Sequence, residues 1–360
     1  MDMTASTFTF CRFSALLCIL FVFPLMALSQ EEGGDIRYVD TIDTSIDLFA
    51  IDEPMNITLT MDMKKYKREQ FEGDYMNVDF LYEVNDTLHI RKSVRIKPRG
   101  VFRRNYCSMA PFWLNIRKAD VANAHLQDVK KMKVVTRCKD SKTYDELVLK
   151  EFLAYKIYNI LSPVSFRVRL IRMRYVDTGK NNKTTEGWAF LIEPEGLLAE
   201  RMDAIAVKRD DLAMALMKPA DMDRVALFMY LIGNSDYSVT GRHNVKVLGM
   251  PGFGSEGYTP VPYDFDNAGI VDAYYANPRE GLGITSVTER YFQGPCRSDA
   301  AHVEAIEHIN QYREEILALV TDFEYLDDKN RKKMLKYLED YFALAANEQR
   351  LVTTLKQTCK

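Results

Sequence analysis

The sequence predicts an α+β fold, with strands gathered in its first half and helices in its second. Three observations carry this. Short runs of alternating apolar and polar residues recur up to about residue 195. Apolar residues recur at helical spacing from about residue 200 onward. The two patterns are segregated rather than interleaved as in βαβ units. Composition permits a well-buried core: of 360 residues, 47% are hydrophobic and 11% aromatic, which excludes a disordered chain. The 48 basic residues face 51 acidic ones, without the cationic excess of a nucleic-acid binder, so no nucleic-acid partner is expected.

Residues 1–29 read as a cleavable export signal. Arg12 precedes the apolar run Phe13 to Met26, which Pro24 interrupts, and the small residues Ala27 and Ser29 precede Gln30. An uncleaved anchor normally needs about 20 apolar residues. No other segment is long and apolar enough to span a bilayer, so no transmembrane anchor is expected after cleavage. The mature protein is expected to be exported, whether periplasmic, cell-surface or extracellular. Residues 30–50 read as a linker, 51–195 as a strand-rich region with one helix, and 196–360 as mainly helical. The mature chain keeps Cys107, Cys138, Cys296 and Cys359. In an oxidising compartment these permit one or two disulfides, and all three full pairings stay open. No Cys-x-x-Cys spacing is present, which argues against structural zinc. Asn56, Asn85 and Asn182 open glycosylation sequons.

Strands are expected at Asn56–Met61, Met76–Tyr82, Val94–Lys97, Pro111–Ile116 and Met132–Thr136. A hairpin is expected to pair Phe166–Tyr175 with Gly187–Ile192 across a polar turn. The basic run Lys64–Arg68 reads as a solvated turn, and the aromatic rings of Trp113 and Trp188 as core packing rather than carbohydrate stacking. One helix interrupts the strands: Leu149, Phe152, Leu153, Ile157, Ile160 and Leu161 share a face. Leu147, Ala154, Tyr155 and Tyr158 surround Glu151 on the opposite face. A carboxylate in an apolar stripe is costly to bury without a cation; otherwise Glu151 lies at a solvated edge or pairs with Lys150 or Lys156.

In the second half, Val225, Phe228, Met229 and Ile232 mark a helix ending at Gly233. Val303 to Leu319 read as one long amphipathic helix, and a last helix is expected from about residue 327 into the 350s. There is no internal repeat.

The stretch that carries chemistry runs from Gly233 to Asn244, followed by a short strand and, twenty residues after Asn244, by Asp264-Phe265-Asp266. The Gly-rich segment Gly249 to Gly257 reads as a flexible hairpin tip. Antiparallel strands return the chain to where it left, so Asp236, Asn244, Asp264 and Asp266 are expected in one small volume. Carboxylates held together repel unless a cation lies between them, and hard oxygen ligands select Mg²⁺ or Mn²⁺. A metal–nucleotide site is the natural use. The bland alternative is turn and strand-end chemistry for each motif taken alone. His243, beside Asn244, is a further candidate catalytic group, since histidine is readily tuned near neutral pH; a loop hydrogen bond is its ordinary alternative.

This order of helix, Asp loop, Asn, hairpin and Asp-Phe resembles the catalytic and metal-binding segments of the protein-kinase-like superfamily, and most closely the CotH (spore-coat protein H) kinase-like family with its secreted bacterial members. Ile96–Gly100, Lys133–Ser141 and Ser165–Leu170 are similar to further segments of that family. The resemblance spans residues 50 to 320. It implies a two-lobed protein-kinase-like fold, with a strand-rich N-terminal lobe and a mainly helical C-terminal lobe. It further implies Asp236 as catalytic Asp, Asn244 and Asp264 as metal ligands with Asp266 as an additional one, and Glu151 as the helix glutamate. The basic partner of Glu151 would be Lys133, with Arg117 as competitor, and Arg99 could clamp phosphate. ATP with Mg²⁺ or Mn²⁺ would be bound, and a phosphoryl group passed to a hydroxyl of a secreted or envelope protein or glycan. The chain departs from the pattern in two places. It has no Gly-x-Gly-x-x-Gly loop, so Gly100–Ala110, with Arg103 and Arg104, would have to cover the phosphates, and Asn244 follows Asp236 by eight residues rather than five.

Other readings stay open. Nucleotidyl transfer (AMPylation) suits the same site, and scarce extracellular ATP favours a non-catalytic surface or envelope binding protein. Asp264-Phe265-Asp266 also resembles the Asp-x-Asp of metal-dependent glycosyltransferases or phosphatases, although Ala268 stands where such phosphatases carry Thr or Val.

Overall fold

The computed structural model describes residues 35–40, 47–116 and 131–360. The expected export signal and Arg117 lie outside the described residues. The strand-rich part contains β1 (Arg37–Val39), β2 (Met55–Met61), β3 (Met76–Glu83), β4 (Leu88–Pro98), β5 (Phe112–Asn115), β6 (Lys131–Thr136), β7 (Val168–Asp177) and β8 (Lys183–Ile192). Their order is β4-β3-β2-β7-β8-β6-β5, and β5 pairs back onto β4. The result is a closed mixed barrel of seven strands. Strands β2 and β7 are its parallel pair, and β1 adds alongside β4 in parallel.

This barrel overturns the expected two-lobed protein-kinase-like fold of a strand-rich N-terminal lobe and a mainly helical C-terminal lobe. The physical reason is the length of β4. Eight of its 11 residues pair with β3 along one edge, from Met76↔Ile96 to Glu83↔His89. Its last four pair with β5 on the other edge, from Arg95↔Asn115 to Pro98↔Phe112. Alternation along each strand sends Ile57, Leu59, Phe80, Ile96, Leu114, Val134, Met173 and Leu191 into one dry core.

Among the described residues, three helices accompany the barrel: α1 (Met63–Glu72), α2 (Val101–Tyr106) and α3 (Lys142–Leu161). The helix α3 is buried on nearly every side, Glu151 included. It shares a second core with the outward residues Leu170 and Phe190 of β7 and β8, and with helices later in the chain. The region 36–360 forms one unit. The later elements are α4 (Glu195–Arg201), β9 (Ile205–Ala206), α5 (Pro219–Ile232), β10 (Val245–Gly249), α6 (Phe253–Glu256), β11 (Thr259–Pro262), α7 (Asp299–Asn310), α8 (Arg313–Thr321), α9 (Asp328–Ala345) and α10 (Glu348–Lys356).

Several local expectations change. The basic run Lys64–Arg68 lies in α1, not in a turn: Asp62 caps the backbone N–H groups of Lys64 (2.8 Å) and Lys65 (3.0 Å), and Tyr66 and Gln70 turn inward. The helix read from Val303 to Leu319 is two, α7 and α8, broken at Gln311–Tyr312. The last helix divides where Asn347 caps Arg350. The Gly-rich hairpin tip carries α6. Trp113 is half-buried outside the core, with Lys131 4.4 Å and Lys133 5.7 Å from its ring centre, whereas Trp188, also half-buried, packs against the core with Arg172 5.2 Å from its ring. Of the three cysteine pairings, the structure holds Cys107–Cys138 and Cys296–Cys359. Among the described residues, no helix is long and apolar enough to cross a membrane.

Candidate active site

The site begins where α5 ends. Gly233 adopts a left-handed conformation (φ 67°), and a Cβ there would overlap the Tyr337 hydroxyl and come within 3.3 Å of Gly269 Cα. Only glycine meets both demands. The following loop is fixed from beneath: the Asn234 side chain accepts from the Asp236 N–H (2.8 Å), and Gln293 donates to the Ser235 carbonyl (2.7 Å). Ser238 and His243 exchange two backbone hydrogen bonds of 2.9 Å. Asp236 therefore leaves a braced loop.

Strands β10 and β11 pair Val245 with Pro262, and the Tyr263 N–H donates to the Asn244 carbonyl (3.0 Å). This brings Asn244 and Asp264 to the same open end of the hairpin. Both have left-handed backbones, φ 53° and 64°, a conformation that Asn and Asp tolerate better than other side-chain-bearing residues. The Asp264 N–H donates to the Tyr155 hydroxyl of α3 (2.8 Å).

Asp236, His243, Asn244, Asp264, Asp266 and Asn267 line one side of a cleft of about 480 Å³. Arg99, the start of α2 through Arg103, and Pro111 line the other. Asp236 is oriented by three side chains. His243 Nε2 lies 2.9 Å from its Oδ1, and Asn244 (3.3 Å) and Asn267 (3.2 Å) donate to its Oδ2. Asn244 also donates to the Asp236 backbone carbonyl (2.8 Å). Asp264 lies 3.9 Å from Arg99 and keeps a third of its side-chain surface exposed (33%).

Deeper in, one guanidinium serves three groups. Arg103 Nε (2.9 Å) and Nη2 (2.6 Å) reach Asp266 Oδ2, and Nη2 also reaches Glu151 Oε2 (3.2 Å) and the Tyr275 hydroxyl (3.1 Å). Asn267 donates to the other Asp266 oxygen (3.3 Å), whereas Glu151 Oε1 is buried without a partner. Burial pushes the Glu151 carboxyl up to about 8, against the pull of Arg103 and with a further push from Asp266 and Asp264. Burial raises Asp266 too, against the pull of Arg103. Arg103 is held charged: its burial is outweighed by Asp266, Tyr275 and Glu151.

The expected basic partner of Glu151 is thus replaced. Lys133 sits 4.3 Å from the Tyr263 ring centre, on the Asp264 flank. Burial, and then Arg99, lower its ammonium to about 7. Arg117 lies outside the described residues. Lys156 pairs with Asp52 (2.8 Å), and Lys150 donates to the Val271 carbonyl. Arg103 takes the role instead, across 48 residues from Glu151 and 163 from Asp266, separations with no sequence signature. Asp266, read as an additional metal ligand, is engaged by Arg103 and Asn267. Asn267 and Tyr275 were missed by sequence reasoning. Only Asn267 carried a signal, its position next to Asp266.

The oxygens that fit a hard divalent cation are those of Asp264, Asp236 and the Asn244 amide, whose nitrogen is already committed to Asp236. They are less tightly gathered than the trio of half-buried Glu69 with exposed Glu72 and Asp74 at the end of α1, the one group of three acidic side chains among the described residues that converges within 4.8 Å. No protein-family model matches this chain, and no curated protein matches it either.

Proposed function

We propose that this cleft binds ATP with Mg²⁺ or Mn²⁺ and transfers the terminal phosphoryl group to a hydroxyl of an exported protein or glycan. The observation that carries the proposal is the Asp236 carboxylate, oriented by His243, Asn244 and Asn267, sharing a cleft with Asp264 and facing the cations Arg99 and Arg103. The motif order similar to the CotH family points the same way from the sequence. The reading rests on the site and not on a kinase-like architecture, which the barrel replaces. The two disulfides favour an oxidising, exported setting.

Asp264 and Asn244 would hold the cation, which when bound supplies charge neutralisation on the phosphate oxygens. Arg99 and Lys133 flank Asp264 and can take up further phosphate charge. Asp236 accepts the acceptor hydroxyl's proton as that oxygen bonds to the terminal phosphorus and the bond to the leaving ADP breaks. His243, 2.9 Å away, supports the carboxylate and offers the proton a route to solvent.

The test uses mature protein, an acceptor fraction from the exported compartment, and ATP labelled separately at the γ and α positions. Transfer of γ label that falls about 10²–10⁴-fold in Asp236→Ala, and disappears in Asp264→Ala, is the expected result. Transfer of α label would replace the reading with nucleotidyl transfer. Calorimetry showing no metal-dependent ATP binding would overturn both and leave a non-catalytic binding protein.

A further inference from the structure

We infer that Arg103 is the resident cation of this cleft, standing where a second divalent ion would stand, so that the site takes one metal ion rather than two. The inference rests on the proposal that the cleft binds a divalent cation. A second ion would need Asp266, the only other carboxylate on the segment that follows β11 to line the cleft. Its Oδ2 takes two contacts from the Arg103 guanidinium, at 2.6 and 2.9 Å, and its Oδ1 accepts from Asn267 at 3.3 Å. A divalent ion bound to Asp266 would lie against a guanidinium at ion-pair distance, and like charges so close repel strongly in a buried site.

Arg103 is not free to step aside. Its Nη2 is shared with Glu151 Oε2 (3.2 Å) and the Tyr275 hydroxyl (3.1 Å), so withdrawal would strand a buried carboxyl that has no other partner. The helix α2 that carries it is tied at both ends. Gly100 turns the chain with φ 81° at the start, and Cys107 is bonded to Cys138 at the finish. Gln70 of α1 holds the carbonyls of Arg104 and Cys107 from below. Asp264 differs on each count: it is a third exposed and its nearest guanidinium, Arg99, is 3.9 Å away. One carboxylate is thus open to a metal and its neighbour is closed by a side chain of fixed charge.

Counting Mn²⁺ ions tests this without reference to turnover. The probe is Mn²⁺ titrated by electron paramagnetic resonance in the presence of a non-hydrolysable ATP analogue. The wild type is expected to bind one ion per chain. Arg103→Met, which removes the charge and keeps the bulk, is expected to bind two, and the second ion should vanish again in the Arg103→Met/Asp266→Asn double variant. Arg103→Lys, which keeps a cation, should stay at one. Two ions on the wild type, or one on a folded Arg103→Met, would overturn the inference while leaving the proposed function standing. No ion on the wild type would overturn both. The wild-type count decides the matter even where a variant fails to fold.

Discussion

Glu193 and Glu151 are buried alike, each 2% exposed, yet the molecule surrounds them differently. Glu193, next to the end of β8, has two guanidiniums: Arg167 and Arg201 both reach Oε1, at 2.9 and 3.1 Å, and Arg201 (3.0 Å) with the Arg167 backbone N–H (3.1 Å) reaches Oε2. Glu151 has one guanidinium, which it shares with Asp266, and one oxygen that nothing meets. The first arrangement is a finished structural joint. The second leaves a carboxyl incompletely satisfied behind the cleft that Arg103 and Asp266 line, the condition under which its protonation state becomes responsive to what binds nearby. Burial alone therefore does not mark a functional acid; incomplete satisfaction beside a cleft does.

The largest expected effect is at the finished joint. Glu193→Ala leaves two guanidiniums without their shared counter-ion and should lower unfolding free energy by about 3–5 kcal/mol, read from urea melts with an unchanged m-value. A loss no greater than that of Glu151→Ala would break the comparison. A smaller loss, about 1–3 kcal/mol, is expected for Arg103→Met, because Glu151 can take up a proton when its partner goes. The smallest effect, and the sharpest, is in pH dependence. With its carboxyl raised from 4.5 to about 8 on folding, Glu151 binds more protons in the folded than in the unfolded chain between those values. Its contribution is therefore complete below about pH 4.5 and declines as pH rises through 8. Glu151→Gln removes that slope, so its melting temperature relative to wild type should climb from pH 5 to pH 9. Parallel profiles for Glu151→Gln and wild type would contradict the assignment.

The sequence made the strands readable because alternation is a local property: Ile57, Leu59, Phe80 and Ile96 announce an inward face whether the sheet is open or closed. Closure itself was not readable. It depends on β5 finding the second edge of β4, and a half-buried sheet and a barrel wall share the same period of two. The helix α1 was hidden because only Tyr66 and Gln70 of its first two turns are buried, too few to outweigh its lysines. At the site, Asp236, Asn244 and Asp264 could be placed together because a single hairpin connects them. Arg103 could not, since its partners come from α3 and from the segment after β11, and nothing local to residue 103 records that meeting.

The β4–β5 seam has a consequence for how the chain behaves before and after folding. A closed barrel pairs each wall strand on both sides, and on the edge of β4 that β5 takes up from Arg95 to Pro98, β1 covers Leu88 to Ile90. Only four residue pairs close the circle, from Arg95↔Asn115 to Pro98↔Phe112. A chain in which they part would expose two raw edges at once, each lined by the apolar residues of the barrel interior. Those edges are ready templates for another copy's strands, so the seam guards against aggregation as well as shaping the wall beside the cleft.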